Sequence, residues 1–276
     1  MPDHPTRPEP FAVYTTPAFW DDDHVSASML AAHLDPLSWP ASRPHAFIDA
    51  SVEWLVTALD PPPGAPPLAP RSAPRHYANR FAARGVHVLG VDVSRRSLDH
   101  ARSVAVADAL PAEFRHGSYL EVGLGAGHDA AILVYEDYCV LSPDQRALLL
   151  ARVHAALAPG GRLCLDVTAE SRFDEVRERV VTAPDLMDGF WAVPPYVGTC
   201  ETWAYPDLRL GLERYTIETA DGRREFWNWT QYLTPDQVWA ELAAAGFTGH
   251  TLHGDVAGAP YRPDGPTFAV VTRRPD

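Results

Sequence analysis

The chain contains no lysine: all 23 of its basic residues are arginine. That absence excludes lysine chemistry as a class, namely Schiff bases, pyridoxal phosphate anchoring, the P-loop lysine of nucleotide hydrolases and the protein-kinase lysine. Cysteine is scarce too. Cys139, Cys164 and Cys200 show neither metal-ligand nor redox spacing, so a reduced, cytoplasmic setting is expected. The 12 histidines form no HxH or HExxH pattern, and no metal site is expected. GxSxG is missing, which leaves a hydrolase triad without motif support. No apolar run approaches the ~20 residues of a membrane helix. The opening MPDHPTRPEPF lacks the apolar core of a signal peptide. Basic residues are also few against 36 acidic ones, and the formal charge of −13 argues against nucleic acid or an anionic membrane as partner.

What is present is an ordinary globular composition over 276 residues, 46% hydrophobic and 21% charged, enough for a sizeable core. Residues 1–10 read as a flexible tail. Residues 11–58 carry apolar residues at helical spacing, among them Ile48, Val52 and Leu55, and read as a cap of two or three helices. A Pro-dense run, DPPPGAPPLAPRSAPR at 60–75, breaks any element. Strands and helices then alternate. VHVLGVDV (86–93), AAILVYED (130–137) and RLCLDVTA (162–169) read as buried strands. Helices are expected from Ser94, and from Ser142 with Pro143 at its first position and Gln145 completing a capping box. Such alternation predicts a parallel sheet. The last third differs: residues 190–232 hold 10 of the 28 aromatics, and Ala-Asp-Gly at 220–222 signals a β-hairpin. Thr234, Pro235 and Gln237 repeat the capping logic, and FAVVTRR (268–274) is a final strand.

The segment VLGVDVSRRSLDHAR (88–102) ends a strand on Asp92 and opens a helix at once. At the carboxyl edge of a doubly wound sheet, a carboxylate there accepts hydrogen bonds from both ribose hydroxyls of a nucleotide; a plain helix-capping role is the alternative. The order GVDVS, a strand ending YEDYC, a helix ending LAPGG, then RLCLDV resembles the class I S-adenosylmethionine-dependent methyltransferases. The resemblance runs from about residue 46 to the end. It implies an α/β fold: a doubly wound, seven-stranded Rossmann-like sheet with an antiparallel last strand, N-terminal helices and an antiparallel aromatic insert forming a lid. It implies S-adenosylmethionine as cofactor, with Asp92 on the ribose, Val93 and Ser94 beside the adenine, Ser118 and Tyr119 at the adenine edge, and Glu136 and Asp137 facing the methionine part and the substrate.

The family's Gly-rich first motif should fall at Leu68–Arg75, where the sequence has LAPRSAPR, so its glycines correspond to Arg71, Ala73 and Arg75. Glycine permits close backbone approach and positive φ, which Ala and Arg do not do freely. Three alternatives stay open: a diverged loop with binding lost, remodelled binding that still uses positions such as Arg71 and Ala73, or a local shift of reading frame. A second glycine cluster, Gly123, Gly125 and Gly127, follows the ribose-acid strand; that order makes it a loop entering the next strand rather than a cofactor loop.

The expected activity is methyl transfer to a small-molecule acceptor, with His24 or Glu136 as base where the acceptor needs deprotonation. Tyr14, Trp20, Trp191, Trp203 and Trp229 are the expected substrate-binding residues, although aromatics at such positions equally stabilise a hairpin. Asp21 to Asp23 read as helix caps. The alternative function is a methyltransferase fold that has lost methyl transfer, working as a cofactor-independent enzyme or a binding partner.

Overall fold

A computed structural model describes residues 7–37, 42–59 and 76–276. Three helices open the chain: α1 (Thr16–Asp21), α2 (Asp23–Leu34) and α3 (His45–Leu59). Asp22 caps α2 by accepting the Val25 N–H. α3 carries Ile48, Val52, Leu55 and Leu59 at the three-to-four spacing of one helical face, and all are buried against Tyr77 and Phe81 of α4 (His76–Ala82).

Two β–α–β units follow. In the first, β1 (Val88–Asp92) and β2 (Ala112–His116) pair in parallel around α5 (Arg95–Ala107). In the second, β3 (His128–Leu133) and β4 (Leu157–Thr168) pair in parallel around α6 (Pro143–Ala156). The capping box at Ser142 has both its hydrogen bonds. After the insert, α7 (Pro235–Ala244), capped the same way by Thr234, leads to β9 (Thr248–His253) and β10 (Thr267–Arg273). β10 lies antiparallel between β4 and β9.

Successive strand residues face opposite ways, as the two-residue period requires. Leu89, Ala131, Leu133, Leu163 and Leu165 pack with α6 and α7, whereas Val88, Ala130, Ile132 and Cys164 pack with α3 and α4. Helices therefore cover both faces, and β1 shares both cores with β3 and β4. One continuous seven-stranded sheet is not what the described residues form. They make a two-stranded parallel sheet and a four-stranded mixed one, and the position of the expected first strand and its loop, Leu68–Arg75, lies outside them.

The aromatic region is a four-stranded antiparallel sheet of β5 (Arg179–Pro184), β6 (Val197–Tyr205), β7 (Leu210–Thr219) and β8 (Gly222–Gln231). β7 and β8 pair down to Thr219↔Gly222, the hairpin signalled by Ala220–Gly222. The sheet begins at Arg179 rather than near residue 190. Its first strand, RVVTAP, is an edge strand exposed over most of its length, so it has no buried face to impose an alternating pattern.

Candidate active site

The carboxyl ends of the parallel strands carry two groups of polar residues. At the end of β1, Asp92 Oδ1 accepts the Ser94 N–H at 2.8 Å. Buried Ser94 caps α5, its hydroxyl accepting the Ser97 N–H at 3.3 Å. The Gly117 N–H donates to the Asp92 carbonyl at 2.8 Å, which brings the 117–119 turn beside the Asp92–Ser94 turn. Ser118 and Tyr119 continue from it. The Ser118 hydroxyl accepts the Leu120 N–H, and the Tyr119 ring is buried in the core beside α6. The helical cap lies over this edge: Arg96 of α5 donates to the Ser26 hydroxyl at 3.0 Å and sits 3.6 Å from the Asp23 carboxylate.

The second group stands after β3. The strand stops at Leu133, short of the expected Asp137, because the chain turns sharply: Tyr135 and Glu136 are both left-handed, at φ 72° and 59°. Side chains disfavour that conformation, and a buried carboxylate holds it. Asp166 of β4 is 1% exposed. Its Oδ1 accepts the Glu136 N–H at 2.8 Å, and its Oδ2 lies 3.1 Å from Arg43 Nη2. The same Nη2 donates to Glu136 Oε1 at 2.7 Å. Arg43 comes from the connection between α2 and α3, and its guanidinium lies over the Tyr135 and Phe47 rings. Burial, then the Glu136 charge, push the Asp166 carboxyl up to about 7, against the opposing pull of Arg43 and the Glu136 and Tyr135 N–H groups. Burial works against the Arg43 charge, but Asp166 and Glu136 more than offset it. Burial, reinforced by Glu136, pushes the Tyr135 hydroxyl up to about 12. Among the described residues, two buried polar atoms here have no hydrogen-bond partner: Arg43 Nε and Ser42 Oγ.

Other expected site residues lie elsewhere. His24 Nε2 is 2.6 Å from the Gly189 carbonyl, so that nitrogen carries a proton and ties the cap to the aromatic region. Trp20 packs on Phe19 and stacks on His33. The Tyr14 hydroxyl is buried beside Ser142 and Arg146, and burial raises its pKa. Trp191, Trp203 and Trp229 do not form an open aromatic pocket. Trp191 is buried on Tyr215 and Phe226 at 4.5 and 4.8 Å. Trp203 and Trp229 pack with Leu210 and Leu212, and the Trp229 indole donates to the Val13 carbonyl. Their large apolar area is spent on the insert's own core. Arg71 and Ala73 lie outside the described residues. Gly123, Gly125 and Gly127 fall in the loop entering β3.

Sequence reasoning missed Arg43, Asp166 and Tyr77. Asp166 had a signal: a carboxylate inside an apolar strand needs a partner. Arg43 had none, because its partners are 93 and 123 residues away. The described residues also line a polar cleft of about 310 Å³, bounded by Arg179, Thr202, Glu213, Asn228 and Tyr232. β8, which supplies Asn228, packs against the turn at Asp137–Val140. Among the described residues no cluster of His, Cys, Asp and Glu suits a metal ion, and no helix is long and apolar enough to cross a membrane.

Residues 74–161 match a family model described as a methyltransferase domain. No curated protein matches the sequence. Among solved structures, the CcbJ methyltransferase of Streptomyces caelestis is 18% identical with a TM-score of 0.65, over 92% of this chain and 100% of that one. An S-adenosylmethionine-dependent methyltransferase of Clostridium acetobutylicum is 8% identical with a TM-score of 0.66, over 91% and 98%. CalS10 of Micromonospora echinaspora, an amino pentose methyltransferase solved with S-adenosylmethionine bound, is 21% identical with a TM-score of 0.55, over 90% and 96%. The matched segment thus carries a methyltransferase domain, and the fold is the one these solved methyltransferases share.

Proposed function

We propose that the protein transfers a methyl group from S-adenosylmethionine to a small-molecule acceptor. The observation that carries this reading is the pair of groups at the carboxyl edge: the Asp92–Ser94 turn, and the Arg43–Glu136–Asp166 cluster with its orphaned polar atoms. The residues present fit the cofactor. Asp92 suits a ribose diol, and Ser94, Ser118 and Tyr119 flank the adenine position. Arg43 Nε and Ser42 Oγ are buried polar groups that an amino-acid ammonium and carboxylate would satisfy. Bound there, S-adenosylmethionine supplies an electrophilic methyl group.

The chain's own contribution is position and exclusion of water. Arg43 fixes the Glu136 carboxylate, and Asp137 follows it at the start of the next helical turn. Glu136 is the group we assign to proton removal from an acceptor that needs it. His24 serves instead to seat the cap against Gly189. The polar cleft beside β8 is the acceptor side in this reading, and its Glu213, Asn228 and Thr202 suit a hydroxylated or amino-bearing molecule. The amino pentose named for CalS10 is a molecule of that kind.

Titration calorimetry with S-adenosylmethionine and S-adenosylhomocysteine tests the proposal. Micromolar binding, about −8 kcal/mol, that Asp92→Ala abolishes is the expected result. No heat at high ligand concentration, with folded protein, overturns it in favour of a cofactor-independent enzyme or a binding partner.

A further inference from the structure

We propose that Asp166 is the positioning residue of this site: it holds Tyr135 and Glu136 in their left-handed turn and, through Arg43, sets the direction of the Glu136 carboxylate. The inference rests on the methyltransferase reading for its functional consequence, but its geometric core does not.

Two adjacent residues with side chains, Tyr135 and Glu136, have positive φ where a strand would otherwise continue. Such a pair persists only where its surroundings impose it. Asp166 imposes it from the neighbouring strand, as the carboxylate that receives the Glu136 N–H at 2.8 Å. Its other oxygen, 3.1 Å from Arg43, orients the guanidinium whose same nitrogen reaches Glu136 at 2.7 Å. One buried side chain thus controls both the main chain and the side chain of Glu136. Asp166 is itself almost fully buried, so it acts through these two neighbours.

A buried carboxylate flanked by one cation and one anion is also sensitive to protonation. The groups facing it are Arg43 from the α2–α3 connection, Tyr77 from α4, Tyr135 and Glu136 from the turn, Cys139 from the segment after it and Cys164 from β4. Burial holds both tyrosines and both thiols above their ordinary values, away from neutrality. Proton uptake by Asp166 near pH 7 weakens its grip on the Glu136 N–H and leaves Arg43 to Glu136 alone.

The test has two independent readouts on wild type, Asp166→Asn, Asp166→Ala and Asp92→Ala. The first is amide hydrogen exchange of the Glu136 segment in the ligand-free protein. Faster exchange there in Asp166→Ala, with α5 and β1 unchanged, is expected; unchanged exchange overturns the proposal. The second is S-adenosylhomocysteine affinity from pH 5.5 to 8.5. Asp166→Ala should weaken binding roughly 10- to 100-fold, the loss of a charge-assisted hydrogen bond. Wild-type affinity should fall as pH drops through about 7, and Asp166→Asn should flatten that profile. A variant profile that keeps the wild-type inflection overturns the proposal. If Asp166→Ala does not fold, exchange and the pH profile of Asp166→Asn decide alone. Failure of wild type to bind, or unaltered binding by Asp92→Ala, is instead a failure of the methyltransferase reading, and the exchange result then stands by itself.

Discussion

The buried ion pair between Arg146 of α6 and Glu241 of α7 allows the most quantitative prediction. Arg146 is 2% exposed and donates to both Glu241 oxygens at 2.8 and 2.7 Å, to the Leu141 carbonyl and to Gln231 Oε1. The Tyr138 hydroxyl also donates to Glu241. Replacing Glu241 by Leu leaves the guanidinium buried with no counter-charge, and breaking a buried pair on one side costs about 3–5 kcal/mol. Glu241 keeps 28% exposure, so water can reach part of the gap and the lower end, about 3 kcal/mol, applies. The double variant Arg146→Met with Glu241→Leu removes both charges, and apolar replacement of a whole buried pair is near neutral. Tyr138 loses its acceptor in both variants, a further cost of about 1 kcal/mol. In the double variant the Leu141 carbonyl and Gln231 Oε1 also lose their donor, about 1 kcal/mol more. Urea unfolding followed by tryptophan fluorescence reads the difference: the single variant should lose about 4 kcal/mol and the double about 2. A single variant within ~1 kcal/mol of wild type, or a double no more stable than the single, would refute the argument that charge burial rather than packing decides here.

Trp191→Ala should cost about 3–5 kcal/mol, since the ring is buried on Tyr215 and Phe226, and limited proteolysis should then cut the antiparallel sheet first. Ser142→Ala removes half of a capping box and should lower stability by about 1 kcal/mol, checked by thermal melting. Asp166 has a folded pKa raised above its unfolded value, so the folded state binds the extra proton between about pH 4 and 7. Its contribution therefore destabilises more as pH rises through that window. Wild type should gain stability relative to Asp166→Asn as pH falls from 7 to 4, and a pH-independent difference between them would count against it. Gly258→Ala should be destabilising, because φ is +84° and a Cβ would meet the Trp54 ring; circular dichroism melts would show a lowered midpoint.

Much of this architecture is local in origin. The caps at Ser94, Ser142 and Thr234 are formed by residues three apart, and all three close as the sequence pattern requires. The buried strands around Val88–Asp92 and Leu163–Thr168 follow from runs of apolar residues that can only be covered on both faces. Asp92 was legible for the same reason, as the first acidic residue after such a run. Arg43, Asp166 and the turn at Tyr135–Glu136 were not legible, because no pattern in the sequence states that they meet. The tryptophans mislead in the opposite direction: composition marks them as conspicuous, while packing hides them.

Sequence by itself determined most of the helices and buried strands, their order, the capped helix starts and the carboxylate that ends β1, since each depends on propensity, periodicity or a cap within a few residues. Tertiary structure alone decided which charges meet. An arginine from the helical cap and an aspartate from β4 converge on Glu136 only after α3 has docked and β3 and β4 have paired, and burial at that junction raises the Asp166 carboxyl to about 7. Desolvation and long-range ion pairing depend on where the chain folds, and neighbours in sequence carry no record of them.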